Sequence, residues 1–298
     1  GLPGNLYPSG NWMPSAHHSA GVTRAQSVRP LNVNGTPSAS GKYVLMSLGM
    51  SNTSQEFCNG KSGMPCHARS FMGRAAADPA VNHTTLAVVN GASSLQVALN
   101  WDNVTDANFD RVRDSVLAPR GLSERQVQII WVKLTNASPK IALLNSSADA
   151  YALEATLGRV VRAIKVRYPN IRQVFVSSRI YAGYATTALN PEPYAYETGF
   201  SVKWLVGAQI SQMQTGTVDP RAGNLNYSTV APWIAWGPYL WANGTNPRSD
   251  GLVWQRSDFA ADGLHPSAAG EAKVATKLLD FFKTSPHTRC WFVVGATC

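Results

Sequence analysis

Hydrophobic runs alternate with polar breaks along most of the chain. Tyr43-Val44-Leu45-Met46, continuing through Ser47-Leu48 to Gly49, predicts a first strand over 43–49, and the polar stretch after Met50 could open a helix. Further strands are expected at 84–89, 127–134 and 173–177, the third of these apolar but for Gln128 and Lys133. Helical periodicity fills the intervals. A short helix is expected at 68–77, another at 108–117 with Asp106 as its cap, and a long one at 148–168. Leu153, Leu157, Val160, Val161, Ile164 and Tyr168 share one face of that long helix. A last helix at 267–283 buries Val274, Leu278, Phe281 and Phe282. Near-continuous apolar strands separated by amphipathic helices predict a parallel sheet covered on both faces, a doubly wound α/β domain.

Two regions break this rhythm. Residues 1–41 are rich in Gly, Pro, Ser and Asn and read as an N-terminal arm, with His17-His18 a solvated loop pair. Residues 180–259 are rich in Tyr, Trp, Pro and Gly and read as a long aromatic-rich insertion, helical only over 198–213. Its rings either pack against the sheet or line a substrate cleft as flat stacking surfaces, with different residues free to do each. The domain therefore spans 42–298 and ends in a small tail, 290–298.

Composition narrows the setting. With 298 residues and 44% hydrophobic content the chain can bury a sizeable core. No run approaches the ~18 uninterrupted apolar residues of a membrane span. The four cysteines form two close pairs, Cys58 with Cys66 and Cys290 with Cys298, which read as local disulfides formed in an oxidising compartment. Their spacing is too long for a CxxC metal knuckle and no histidine cluster accompanies them. No signal peptide is visible, as in a mature secreted chain. Eight N-x-S/T triplets, at Asn34, Asn52, Asn82, Asn103, Asn136, Asn145, Asn226 and Asn243, fit secretion too. The net charge of +9 is scattered, without the Lys/Arg run of a nucleic-acid arm.

The candidate chemistry begins at Ser51, a small nucleophile just after a strand and a glycine. A serine needs a base within hydrogen-bond reach and the base needs an orienting acceptor. Asp262-Gly263-Leu264-His265 supplies both, because D-x-x-H in a tight turn brings the carboxylate to Nδ1 and leaves Nε2 facing out. An oxyanion would need donors. The Ser51 N–H is one; Gly91 after the second strand and the Asn136 side chain after the third are the others. Gly and Asn are ordinary loop residues, but here each follows a successive strand, where an open α/β sheet places its ligand.

Ser51, Gly91, Asn136 and Asp262/His265, in that order, resemble the four blocks of the SGNH (GDSL-like) hydrolase superfamily. The last block, DGLHPSAAGEAKVA, is the most specific. Gly49-Met50-Ser51-Asn52 departs from Gly-Asp-Ser-Leu and looks more like the Gly-Gln-Ser-Asn of sialate O-acetylesterase-like carbohydrate esterases. At the third block Leu134-Thr135-Asn136-Ala137 stands where Gly-x-Asn-Asp is expected. Trp131 matches the only shared residue of the carbohydrate-esterase Trp-x-Gln-Gly-Glu segment, and Lys133 is either a neighbour of the site or a charge at the strand mouth. The resemblance implies a three-layer α/β/α flavodoxin-like fold and no metal or cofactor. It also implies acyl-ester hydrolysis through a serine-bound intermediate.

The expected function is a secreted esterase removing acetyl or similar small groups from carbohydrate. Met50, Asn52, Arg179, Tyr181 and Trp236 are candidate substrate contacts. A lipase, thioesterase or polyester hydrolase on the same triad is the second reading, and a catalytically silent polysaccharide-binding protein the third. Glu192 and Glu197 are read as loop charges rather than a glycosidase pair, Arg179 as an ion-pairing or cleft-mouth cation, and His67 and His83 as structural or solvated.

Overall fold

The structure is a computed structural model that describes residues 2, 4–60 and 64–298. Its centre is β1 (Tyr43–Gly49), buried along its whole length. Val44, Met46 and Leu48 face one core, and Tyr43 and Leu45 the other. Burial on both faces is why this strand reads as a continuous apolar run rather than an alternating one. The same reason holds for β3 (Val127–Lys133), which is also buried throughout. The sheet is completed by β2 (Leu86–Asn90), β4 (Gln173–Val176) and β5 (Trp233–Trp236). All five strands are parallel, in the order β2-β1-β3-β4-β5. This is the flavodoxin-like order. The winding reverses between β1 and β3, so a crevice opens beyond the C-terminal ends of those two strands.

Before β1 lies α1 (Ser15–Gln26); after it come α2 (Ser51–Phe57) and α3 (Phe71–Ala77). Between β2 and β3 is α4 (Ala107–Arg111), which widens into a π-turn over Val112–Leu117. Asp106 sits at the cap position of α4, but its carboxylate takes the Asn103 N–H at 2.9 Å instead of capping the helix. Then follow α5 (Asp149–Arg167), α6 (Tyr194–Thr215), α7 (Ala268–Thr284) and the short α8 (Arg289–Phe292). One face of the sheet packs on α5 and α6 through Leu153, Leu157, Val161, Val202, Leu205 and Val206. The other packs on α3, α7 and α8 through Phe71, Val274, Leu278, Phe282 and Phe292. The Cys58–Cys66 and Cys290–Cys298 disulfides are both present. Part of the first disulfide's loop, residues 61–63, lies outside the described residues.

The two regions that broke the sequence rhythm are structured. Residues 1–41 are more than a surface arm, because they contain α1, which docks against the β5 edge. His17 is not solvated: it is 3% exposed, its Nε2 lies 2.9 Å from the Ile234 carbonyl, and its ring stacks on Trp233. Residues 180–259 form long loops, yet they also supply α6 and β5, the fifth strand of the sheet. Their rings pack mainly inward. Trp233 and Trp254 are fully buried, and the Trp254 indole donates to the Leu240 carbonyl.

Candidate active site

The end of β1 presents Ser51 by a tight passage. A Cβ on Gly49 would lie 2.4 Å from Thr53 Oγ1 and 2.6 Å from the Lys133 carbonyl, so only glycine fits between β1, α2 and β3. Thr53 Oγ1 donates to that same carbonyl at 2.7 Å and fixes the start of α2. Ser51 is the first residue of the helix, where a backbone N–H has no intrahelical partner.

The 262–265 turn arrives from the other side. Gly263 adopts φ +65°, and a Cβ there would meet the Tyr184 carbonyl at 1.8 Å, so this turn is closed to other residues. Asp262 Oδ1 accepts the Leu264 and His265 backbone N–H groups, both at 3.0 Å, and Oδ2 lies 2.5 Å from His265 Nδ1. His265 Nε2 lies 2.8 Å from Ser51 Oγ. Partial burial of Asp262 favours its neutral form, but the hydrogen bonds from the His265 ring and the two amides prevail and hold its carboxyl below the usual aspartate range. The arrangement is a continuous Ser51–His265–Asp262 hydrogen-bonded chain. It can take a proton from the hydroxyl, store it on imidazole and return it to a leaving group.

This chain opens on a cleft of about 380 Å³ beyond the ends of β1 and β3. Met50, Leu95, Val97, Leu189 and Leu264 give it aliphatic walls, and Thr135, Asn136, Arg179 and Asn190 give it a polar end. No Phe, Tyr or Trp ring lines it among the described residues. Of the candidate substrate contacts, Met50, Asn52 and Arg179 therefore reach the cleft and Tyr181 and Trp236 do not. Trp236 belongs to β5 and donates to the Leu6 carbonyl at 2.7 Å, while Tyr181 packs against Tyr184 and Trp241. Asn52 has a second task, since its amide donates to the Leu264 carbonyl at 3.0 Å and ties α2 to the histidine turn. That buried amide is closed to glycosylation.

The oxyanion candidates separate. Asn136 lines the cleft, and its Oδ1 is buried without a partner. The Gly91 N–H is committed instead. It donates to the Ser47 carbonyl at 3.1 Å, prolonging the β1–β2 ladder by one bond, so it does not point at a substrate.

Sequence reasoning missed the charges beneath Ser51. Lys133 and Glu56 are both fully buried and joined through both carboxylate oxygens. Lys133 thus ends β3 as a neighbour of the site, but it is buried on Glu56 and does not line the cleft. Burial pushes both groups toward their neutral forms, and their mutual contact opposes this. Beside them Arg179 is 2% exposed, and burial lowers its pKa to about 10. A lysine ending an apolar strand was the available signal, because a buried cation requires a carboxylate nearby. Glu192 and Glu197 serve as structural acceptors. Glu192 takes the Ala182 and Tyr196 N–H groups and the Trp241 indole, and Glu197 takes the Leu143 N–H.

No protein-family model matches the chain, and no curated protein matches it. Solved structures are similar to it in fold. A carbohydrate esterase family 2 enzyme with a carbohydrate-binding domain from Corynascus thermopiles is 14% identical with a TM-score of 0.41, covering 82% of this chain and 68% of that one. A carbohydrate acetylesterase from Sinorhizobium meliloti is 14% identical with a TM-score of 0.40, covering 80% and 97%. An extracellular lipase from Streptomyces rimosus is 16% identical with a TM-score of 0.37, covering 80% and 98%. The likeness is distant, and the chemistry rests on the side chains themselves.

Proposed function

We propose that this protein is a secreted serine esterase of the SGNH type, acting on small or medium acyl esters. The observation that carries the reading is the Ser51–His265–Asp262 chain, with links of 2.8 and 2.5 Å, opening on the cleft at the switch point of the sheet. Ser51 Oγ attacks the ester carbonyl while its proton passes to His265 Nε2. The C–O bond to the alcohol then breaks, and His265 returns the proton to the leaving oxygen. Water repeats the sequence on the acyl-enzyme and releases the acid. Asp262 orients the imidazole and stabilises its charged form. The Ser51 N–H and the Asn136 amide are the proposed oxyanion donors.

An acylated carbohydrate remains the proposed substrate, on the strength of the Gly-Met-Ser-Asn block rather than of the aromatic residues, whose rings stay outside the cleft. The aliphatic walls favour a second reading, a lipase or polyester hydrolase on the same triad. A fluorophosphonate probe tests the nucleophile: Ser51 becomes labelled in folded wild type and nothing is labelled in Ser51→Ala. Turnover by wild type on p-nitrophenyl acetate and octanoate then separates the readings, clear preference for octanoate defeating the acetyl-esterase assignment. Absence of both labelling and turnover overturns the esterase reading and leaves a polysaccharide-binding role.

A further inference from the structure

Among the described residues Arg179 has no ion-pair partner at the polar end of the cleft. Its guanidinium is buried, and Nε and Nη2 have no hydrogen-bond partner among the described residues. Its backbone is fixed, with the N–H donating to Thr198 Oγ1 at 3.0 Å. Three acidic groups influence it, and each is already occupied. Glu56 gives both oxygens to Lys133. Glu192 holds the Ala182 and Tyr196 amides and the Trp241 indole. Asp262 holds its own turn and His265. Glu56, Lys133 and Arg179 together bury one negative and two positive charges, a net positive charge beside the cleft. A buried guanidinium with idle donors is costly unless a ligand completes it. Its planar fork matches a carboxylate in geometry and charge.

We propose that Arg179 is a carboxylate anchor, and that the preferred substrates are esters carrying a carboxylate a few bonds from the scissile carbonyl. The inference rests on the esterase reading and adds the substrate class to it. The carboxylate sits either on the acyl side, as in a half-ester of a dicarboxylic acid, or on the alcohol side, as in an acylated hydroxy acid. The aliphatic walls of the cleft accept the carbon stem between the two ends. Arg179 acts on binding and orientation, while Ser51 and His265 act on the bond.

Matched pairs of esters test this by pH-stat on the purified full chain. Methyl hydrogen succinate against methyl levulinate probes the acyl side, and acetoxyacetate against acetoxyacetone the alcohol side. In wild type, kcat/KM favours the anion in one arm by about 10- to 100-fold, the discrimination expected of a charged hydrogen bond. In Arg179→Gln that preference falls to near unity, while the matched neutral ester changes by no more than about threefold. Arg179→Lys, which keeps the charge but loses the fork, restores part of it. Parity between anion and neutral ester in both arms on wild type overturns the proposal, and this outcome needs no variant to fold. An equal loss on charged and neutral esters in a folded Arg179→Gln overturns it too, because Arg179 would then serve the oxyanion or the framework. Turnover of the neutral esters alone leaves the esterase reading standing without the anchor. No turnover of any ester by wild type removes both.

Discussion

Of the places where this protein buries ionisable side chains, two treat charge in opposite ways. Beside the cleft, Glu56, Lys133 and Arg179 are packed below α2 and against the ends of β3 and β4. Under α1, His17 and His287 lie among Trp233, Tyr227 and one another's neighbours. At the histidine site burial wins outright, pushing both imidazoles down to about 4, so the fold holds them neutral. At the cleft a carboxylate and a lysine compensate each other, and a second cation is left over. Neutral burial of this kind needs only hydrogen bonds such as that to the Ile234 carbonyl. Charged burial of the kind beside Ser51 costs far more, because each ion loses its hydration.

The comparison can be broken by experiment. The largest effect is expected from Asp262→Asn, which keeps the turn but offers the wrong partner to Nδ1. Its kcat on a simple ester should fall about ten-thousandfold while the melting temperature stays close to wild type. Unchanged turnover would remove Asp262 from the site. Lys133→Met should act in the other currency, stability. It strands Glu56 without a partner and should cost ~3–5 kcal/mol in urea unfolding. A cost below ~1 kcal/mol would mean that Glu56 simply takes up a proton.

The histidine site should report through pH. A group whose folded pKa lies below its unfolded value of 6.5 contributes stability above pH 6.5 and loses it as pH falls toward 4. Calorimetry between pH 7 and pH 4 should show a loss on the order of several kcal/mol from the two imidazoles. His17→Gln should flatten that slope, and an equal slope in the variant would contradict neutral burial. The smallest effect is assigned to Trp236→Phe, which loses the bond to the Leu6 carbonyl and should cost ~1 kcal/mol with ester turnover unchanged. Altered substrate preference in that variant would return Trp236 to the cleft.

Much of this could be read from the chain, and the limits have physical causes. β1, β3, α5 and α7 are long or doubly buried, so their apolar patterns are strong. β5 was invisible because four residues, Trp233–Trp236, sit in a stretch where every loop is equally aromatic. α1 was missed because its burial rests on small residues and a histidine, Gly21, Ala25 and His17, rather than on an apolar stripe. That Ser51, Asp262 and His265 would come within hydrogen-bond reach was legible from residue type and a three-residue spacing. Gly91 was misjudged because order along the chain does not say where an N–H points. The sequence left Arg179 between ion pair and cleft-mouth cation and Lys133 between site neighbour and strand-mouth charge, because neither reading reveals that both pack, buried, around Glu56.

The 262–265 turn carries one more consequence. Asp262 binds the backbone of its own turn with one oxygen and the His265 ring with the other, so carboxylate and imidazole are held as one unit. Asn52 fastens that unit to the helix bearing Ser51. The Ser51–His265 distance therefore depends on how the start of α2 sits against this turn. Replacing Asn52 with Ala would loosen that distance, and the pair would spend part of its time too far apart to pass a proton.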